Sequence, residues 1–167
     1  MKGIGPILSN HQSIIQPRFV ERQVDPSEMK VIPGADFSAV TRNLNAADGK
    51  STKDVLSQYD LHNINKNDFD SLITILRDRK EISEQTSADL FAVSLTQFED
   101  SPNTAKKDVI AAVESQANTY WNSSDYNPKE QVSAMISDNY KRSINALNSI
   151  QSAKETGADS VSINVSV

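Results

Sequence analysis

Residues 60–100 read DLHNINKNDFDSLITILRDRKEISEQTSADLFAVSLTQFED, and the pattern inside them decides the fold class. Asn65 followed by Asp68 resembles a capping box with Asp in place of Glu, and Ile64 and Phe69 stand where a hydrophobic staple puts them. Phe69, Leu72, Ile73 and Leu76 recur at i, i+3, i+4 and i+7, one face of a helix, and Ile75 widens it. Ser83 caps the next helix, with Glu84 favourable at the positive end of its dipole. Leu90, Phe91, Leu95 and Phe98 are its expected buried side. Helices that carry their own start signal and one apolar face need a partner to bury it against. The stretch predicts two helices of a packed domain, joined by the charged run Arg77 to Glu81.

Working outward, Thr52 is placed to cap a short helix through Gln58, with Val55, Leu56 and Tyr59 apolar. After the break at Asp100, Ser101 and Pro102, Asn103 or Thr104 starts a further helix, in which Val109, Val113, Ala117 and Trp121 repeat every four residues. Asn122 to Asn127 is a polar turn, and Pro128 suits a first helical position. The last helix is expected from about Lys129 to Thr156, ended by Gly157, with Val132, Ile136, Tyr140, Ile144, Leu147 and Gln151 as its inward seam. Its length suits projection beyond its neighbours or pairing with a second copy. Val161, Ile163, Val165 and Val167 alternate with Ser160, Ser162, Asn164 and Ser166, the period of a half-buried strand. Such a tail is either disordered in the monomer or paired with another strand.

Upstream, residues 1–50 hold four of the six prolines and four of the five glycines, which deny backbone donors and bias their neighbours away from helix. They read as an extended or partly disordered arm, with a brief strand possible in pattern at Phe19, Val20 and Val24. Ile14, Ile15, Phe19, Val31, Ile32 and Phe37 are its candidate anchors on the helical body. The fold class is therefore mainly α: a small bundle of about four to five helices over 51–157, an N-terminal arm over 1–50 and a β-prone tail over 158–167.

Asp60, Leu61, His62, Asn63 and Ile64, then Asp68, Leu72 and Leu76, then Glu81, Ile82 and Ser83, resemble a motif in short, uncharacterised proteobacterial helical proteins. The likeness covers residues 60–84. It implies a bacterial source and carries no activity. Lys80 and Glu81 stand where those proteins tend to have a glycine, so the turn there must form without one.

Composition limits the chemistry. The chain has 167 residues, enough for one domain, yet a hydrophobic share of 37% and a mean hydropathy of −0.49 leave much of it outside a core. Residues 51–100 carry 5 basic and 10 acidic groups, which accounts for the whole net charge of −5. Nucleic-acid binders concentrate Lys and Arg on one face, so nucleic acid is not expected as a partner. No cysteine is present, which removes disulfides, thiolate metal sites and a Cys nucleophile. No run approaches the roughly 20 apolar residues of a membrane span. Gly3, Gly5, Pro6, Ser9 and Asn10 interrupt the apolar residues after Lys2, against the pattern of a signal peptide. The cytoplasm is the expected compartment, with leaderless export as the alternative.

His11 and His62 lack the spacing that sets two ligands on one helical face, so no metal and no cofactor is expected. The connector 77–81 has the outline of a calcium hand, but it is too short, contains Arg77, Arg79 and Lys80, and has no glycine. No G-x-S-x-G elbow, S-x-x-K pair or phosphate loop occurs. The carboxylate pairs Asp68 with Asp70 and Glu99 with Asp100 fit helix ends better than acid–base work, and Asn122 and Asn164 open N-x-S triplets. No catalytic residue is assigned, and the reading leans away from an enzyme. The candidate interaction surface is Tyr120, Trp121, Tyr126 and Tyr140, residue types that anchor interfaces, with Val161, Ile163 and Val165 of the tail. The expected function is a non-enzymatic protein-interaction or assembly factor, with a protein partner or self-association. The alternatives are an exported effector with a flexible N-terminal segment and a small enzyme or ligand-binding domain using Asp60, Asp68 and Tyr126.

Overall fold

The computed structural model describes residues 37–163, which lie within one compact unit, Ile32–Val167. Expectations for residues 1–36, the strand near Phe19 and the docking of the arm among them, lie outside the described residues. Among those described, six helices and a two-stranded ladder follow in the order α1 (Phe37–Ala47), α2 (Thr52–Leu56), β1 (Ile64–Asn65), α3 (Lys66–Asp78), α4 (Glu84–Phe98), β2 (Lys106–Lys107), α5 (Val109–Trp121) and α6 (Gln131–Thr156). The expected small helical bundle is there. No helix of the described residues is long and apolar enough to cross a membrane.

The helical body begins at Phe37 rather than at Ser51, which corrects the extended arm over its last stretch. Val40, Leu44 and Ala47 are spaced along one side of α1, Ala47 is buried, and α1 packs on α3. Asn43 is a poor helix former whose side chain finds partners instead in the tertiary structure. Its amide donates to Asp68 Oδ1 at 3.0 Å and to Ser71 Oγ at 3.1 Å. The Arg79 guanidinium reaches back to the Ala47 carbonyl at 2.7 Å, adding a second donor at the end of α1, where the Lys50 N–H already bonds that oxygen at 3.2 Å.

Ser51, not Thr52, caps α2: its Oγ accepts the Asp54 N–H at 3.1 Å, and the helix stops at Leu56 rather than Gln58. Thr52 is buried and donates to Glu81 Oε1 at 2.9 Å. At the start of α3, Asn65 Oδ1 accepts the Asp68 N–H at 3.0 Å while its amide donates to Asp68 Oδ2 at 2.7 Å. Phe69, Leu72, Ile73, Ile75 and Leu76 are all buried, each contributing about 2 kcal/mol of transfer free energy. The α3–α4 turn closes without glycine. Glu81 N–H donates to the Leu76 carbonyl and Lys80 N–H to that of Arg77, both at 2.8 Å, with Lys80 in the left-handed region at φ 61°.

Ser83 caps α4 through the Thr86 N–H at 3.0 Å. Its inward side is Thr86, Ser87, Asp89, Leu90, Val93, Ser94 and Phe98. Leu95, expected inside, is 65% exposed, and Phe91 is half-buried. Helix α5 starts at Val109 instead of near Asn103, because Lys106 and Lys107 pair antiparallel with Asn65 and Ile64. The Asp108 carboxylate then caps α5 through the Ala111 N–H at 2.9 Å. Val109, Val113 and Ala117 are buried as expected.

The longest helix, α6, contacts α2, α4 and α5. It begins at Gln131 and ends at Gly157, whose φ of 64° lets the chain turn back and Ala158 N–H reach the Ala153 carbonyl at 2.9 Å. Its buried seam is Ser133, Ser137, Ser143, Ala146, Leu147, Ile150 and Ala153. Of the expected seam, Leu147 is buried, while Ile136, Tyr140, Ile144 and Gln151 are half-buried and Val132 is 63% exposed. In the tail, Val161 to Ile163 form no strand. Val161 is buried in the core and donates its N–H to Glu81 Oε2 at 2.9 Å; residues 164–167 lie outside the described residues.

Candidate docking face

The four aromatic residues of the expected surface do come together. Tyr120 lies edge-on to Tyr126 at 5.5 Å between ring centroids and 5.8 Å from Tyr140, and Trp121 meets Tyr140 edge-on at 6.5 Å. Two of them end α5, one sits in the turn and one is on α6, so the cluster fastens the α5–α6 corner. Trp121 Nε1 donates to Ser137 Oγ at 3.0 Å, and Tyr120 Oη reaches the Ser133 carbonyl at 3.5 Å. Burial, with Tyr120 alongside, pushes the Tyr140 hydroxyl above its ordinary pKa.

Packing this bulk against α6 leaves room only for small side chains on the facing side. Ser133 and Ser137 fill it and supply hydroxyls to the loop and to Trp121. The apolar residues of the same turns are thereby rotated outward, Val132 to 63% exposure and Met135 to 57%.

Beside them, α4 and α6 enclose a cleft of about 180 Å³ lined by Ala92, Val93, Thr96, Ile136, Asn139 and Tyr140, among others. At its inner end Asp89, almost fully buried, holds Arg142 Nε at 2.8 Å and the Gln85 amide at 3.0 Å. That hydrogen bond raises the Arg142 pKa further above its ordinary value. Asp89 faces Arg142 while Thr96 shares the cleft with Ile136, so α4 and α6 run antiparallel. Leu95 on α4 and Val132 and Met135 on α6 therefore stand at the same open end. At about 100° per residue, Leu95 and Met135 both fall on the solvent side of their helices' cleft-lining faces. Among the described residues these three are the large apolar side chains left exposed.

Tail residues of the expected surface do not join this face. Val161 belongs to the core, Ile163 packs half-buried against it, and Val165 lies outside the described residues. Nor are the residues of the enzyme alternative assembled. Asp60 meets Lys154 near the C-terminal end of α6, Tyr126 sits before its start, and Asp68 accepts from Asn43 and Asn65.

Two other features lack the groups that chemistry would need. A hollow of about 620 Å³ beside the C-terminal half of α6 is lined by hydroxyls and amides, including Asn145, Asn148, Ser152 and Ser160, with no ionisable group. The bridged loops before α3 and α5 have the outline of paired calcium hands, a different place from the connector 77–81. Taking Asp68 as the twelfth position sets Tyr59 and Leu61 at the third and fifth, where calcium needs oxygen ligands. Leu61 is buried at 1% exposure, so that ligand set is not formed. The equivalent second loop puts Pro102 and Ala111 at the third and twelfth positions.

No family model, curated protein or solved structure matches this chain.

Proposed function

We propose that this protein is a non-enzymatic interaction module that receives an amphipathic helix of a partner protein along the α4–α6 face. One observation carries the reading: Leu95, Val132 and Met135, the large apolar side chains left exposed among the described residues, stand on the two helices that flank a cleft whose lining includes Ala92, Val93, Ile136 and Tyr140 beside Thr96, Gln116, Asn139 and Ser143. A cluster of that kind on a small domain is a recurrent mark of protein contact. The helices beside the cleft are also cross-linked. The Asp89–Arg142 pair spans the cleft's inner end and the Trp121–Tyr140 contact backs it, so a partner meets a pre-formed surface and little ordering cost.

Amide spectra recorded during titration with a neutral, Leu-striped helical peptide test this. Shifts are expected at residues 88–99 and 132–140, and loss of them in the Leu95→Asp/Met135→Asp double variant. Perturbations elsewhere, or perturbations that survive the double variant, would sink the proposal.

A further inference from the structure

We infer that the helix received on this face is basic at both ends of its apolar stripe, an inference that rests on the docking reading above. The outward side of α4 reads Glu84, Ala88, Ala92, Leu95, Glu99, all exposed. At 3.6 residues per turn these five positions fall within a strip about 80° wide. Its centre is apolar and each end is a carboxylate. Glu84 and Glu99 are about 22 Å apart along the axis, at 1.5 Å per residue.

Neither carboxylate has an ion partner among the described residues, whereas Asp89, which faces inward, is paired with Arg142. No Lys or Arg occurs between Lys80 and Lys106; the positive charge closest to hand is the N-terminal dipole of α4 at Glu84 and, at the other end, Lys107, whose ammonium is spent on the Gln97 carbonyl and the Phe98 ring rather than on Glu99. On α6 the adjoining cations are already engaged, Lys141 by Asp138 and Arg142 by Asp89. The strip is thus an apolar seat between two exposed carboxylates that have no salt-bridge partner among the described residues.

Charge complementarity selects the occupant. A helix lying along α4 with apolar residues at i, i+3, i+4 and i+7 and a Lys or Arg about four turns apart places its cations on Glu84 and Glu99. A second copy does not suit, because a two-fold contact through this strip sets like strips against each other and the carboxylates repel. Anionic surfaces are repelled for the same reason.

Three 20-residue helical peptides with one shared Leu stripe test this, carrying Lys, Gln or Glu at both ends, with binding followed by fluorescence anisotropy. In 50 mM salt the Lys-ended peptide is expected to bind about tenfold more tightly than the Glu-ended one, the gap closing in 500 mM salt. Glu84→Lys/Glu99→Lys should reverse the order. Glu84→Gln/Glu99→Gln should make the peptides equal, and guards against a folding defect in the lysine variant. Equal binding of all three peptides to the unmodified chain would overturn the charge inference while leaving the docking reading intact. Binding of none would overturn both. A dimer in light scattering whose formation Leu95→Asp abolishes would show that a second copy takes the seat, and would overturn the inference.

Discussion

Helix α3 and the first half of α6 have similar sequence patterns and opposite outcomes. In α3 the apolar residues at helical spacing, Phe69, Leu72, Ile73 and Leu76, are each at most 1% exposed. In the opening turns of α6, Val132 and Met135 are more than half exposed while Ser133 and Ser137 are buried. The difference lies in what each helix packs against. Helix α3 lies between α1 and α4, which offer aliphatic surface and gaps of matching volume. The start of α6 meets Tyr120, Trp121 and Tyr126, which already fill the space and bring an indole N–H that needs an acceptor. A serine there satisfies the donor and fits; a valine or methionine would do neither. The face a helix buries is decided by the partner's shape and donors as well as by its own hydrophobicity.

The sharpest way to break that comparison is to shorten one side chain on each helix. Leu72→Ala is expected to cost about 2–5 kcal/mol and lower Tm by roughly 10 °C, through lost transfer energy and the cavity left behind. Met135→Ala removes as many side-chain atoms from an exposed site and should change stability by less than about 0.5 kcal/mol. Urea titration of both variants decides it. A Met135→Ala cost close to that of Leu72→Ala would mean that the α6 face is covered in solution.

Next in size is the acceptor beneath Trp121. Ser137→Ala leaves the indole N–H without its 3.0 Å partner and should cost about 1 kcal/mol, limited because Trp121 is only half-buried and water can reach it. Trp121 is the chain's single tryptophan, so its emission reports the corner alone. Unchanged emission and stability in Ser137→Ala would show that ring packing, not the hydrogen bond, orients α6.

These contrasts also explain what could be read beforehand. The caps at Asn65, Ser83 and Gly157, and the buried faces of α3 and α5, were legible because each is a local rule satisfied by nearby residues. Leu95 was legible in principle: at 100° per residue it falls about 140° from Leu90, beyond the face that Ser87 and Ser94 complete. Buried serines hid that face. Helix α1 was obscured by Gly34, Gly49 and Asn43, and the last of these is explained only by Asp68 and Ser71, distant in sequence. The delay of α5 depends on the pairing of Lys106 and Lys107 with β1, which no local pattern announces. The outward turn of Val132 could not be seen until three tyrosines and a tryptophan were known to meet.

Returning to α3, its C-terminal turn provides a smaller test with the opposite sign. Lys80 holds φ 61° in a turn whose hydrogen bonds are complete, so its side chain is strained where glycine would not be. Lys80→Gly should stabilise the chain by about 0.5–1 kcal/mol, after the entropy that glycine adds to the unfolded state. A loss of stability on this substitution would show that the lysine makes a compensating contact with the body and that α3 is held by more than its apolar face.

The smallest effect is expected where the loop before α3 meets the cap of α5. His62 Nδ1 lies 2.9 Å from Asp108 Oδ2, and that hydrogen bond, reinforced by the charges of Asp108, Asp60 and Glu155, raises the imidazole above its ordinary 6.5. Burial works to raise the Asp108 carboxyl, but the Ala111 amide and His62 outweigh it and hold it below its ordinary value. For a raised histidine, the stabilising contribution is complete below pH 6.5 and is lost as pH climbs through the folded-state value above it. Both groups are more than a third exposed, so the change should amount to no more than about 1 °C in Tm. Melting between pH 5.5 and 8.5 should show this small decline in the unmodified chain and its absence in His62→Gln. The same decline in both would mean that the Asp108 carboxylate, bonded to the Ala111 amide, fixes this corner without the imidazole. The backbone links across it, the ladder between Ile64 and Lys107 and the Val109 N–H donated to the Leu61 carbonyl at 3.0 Å, would then carry its stability.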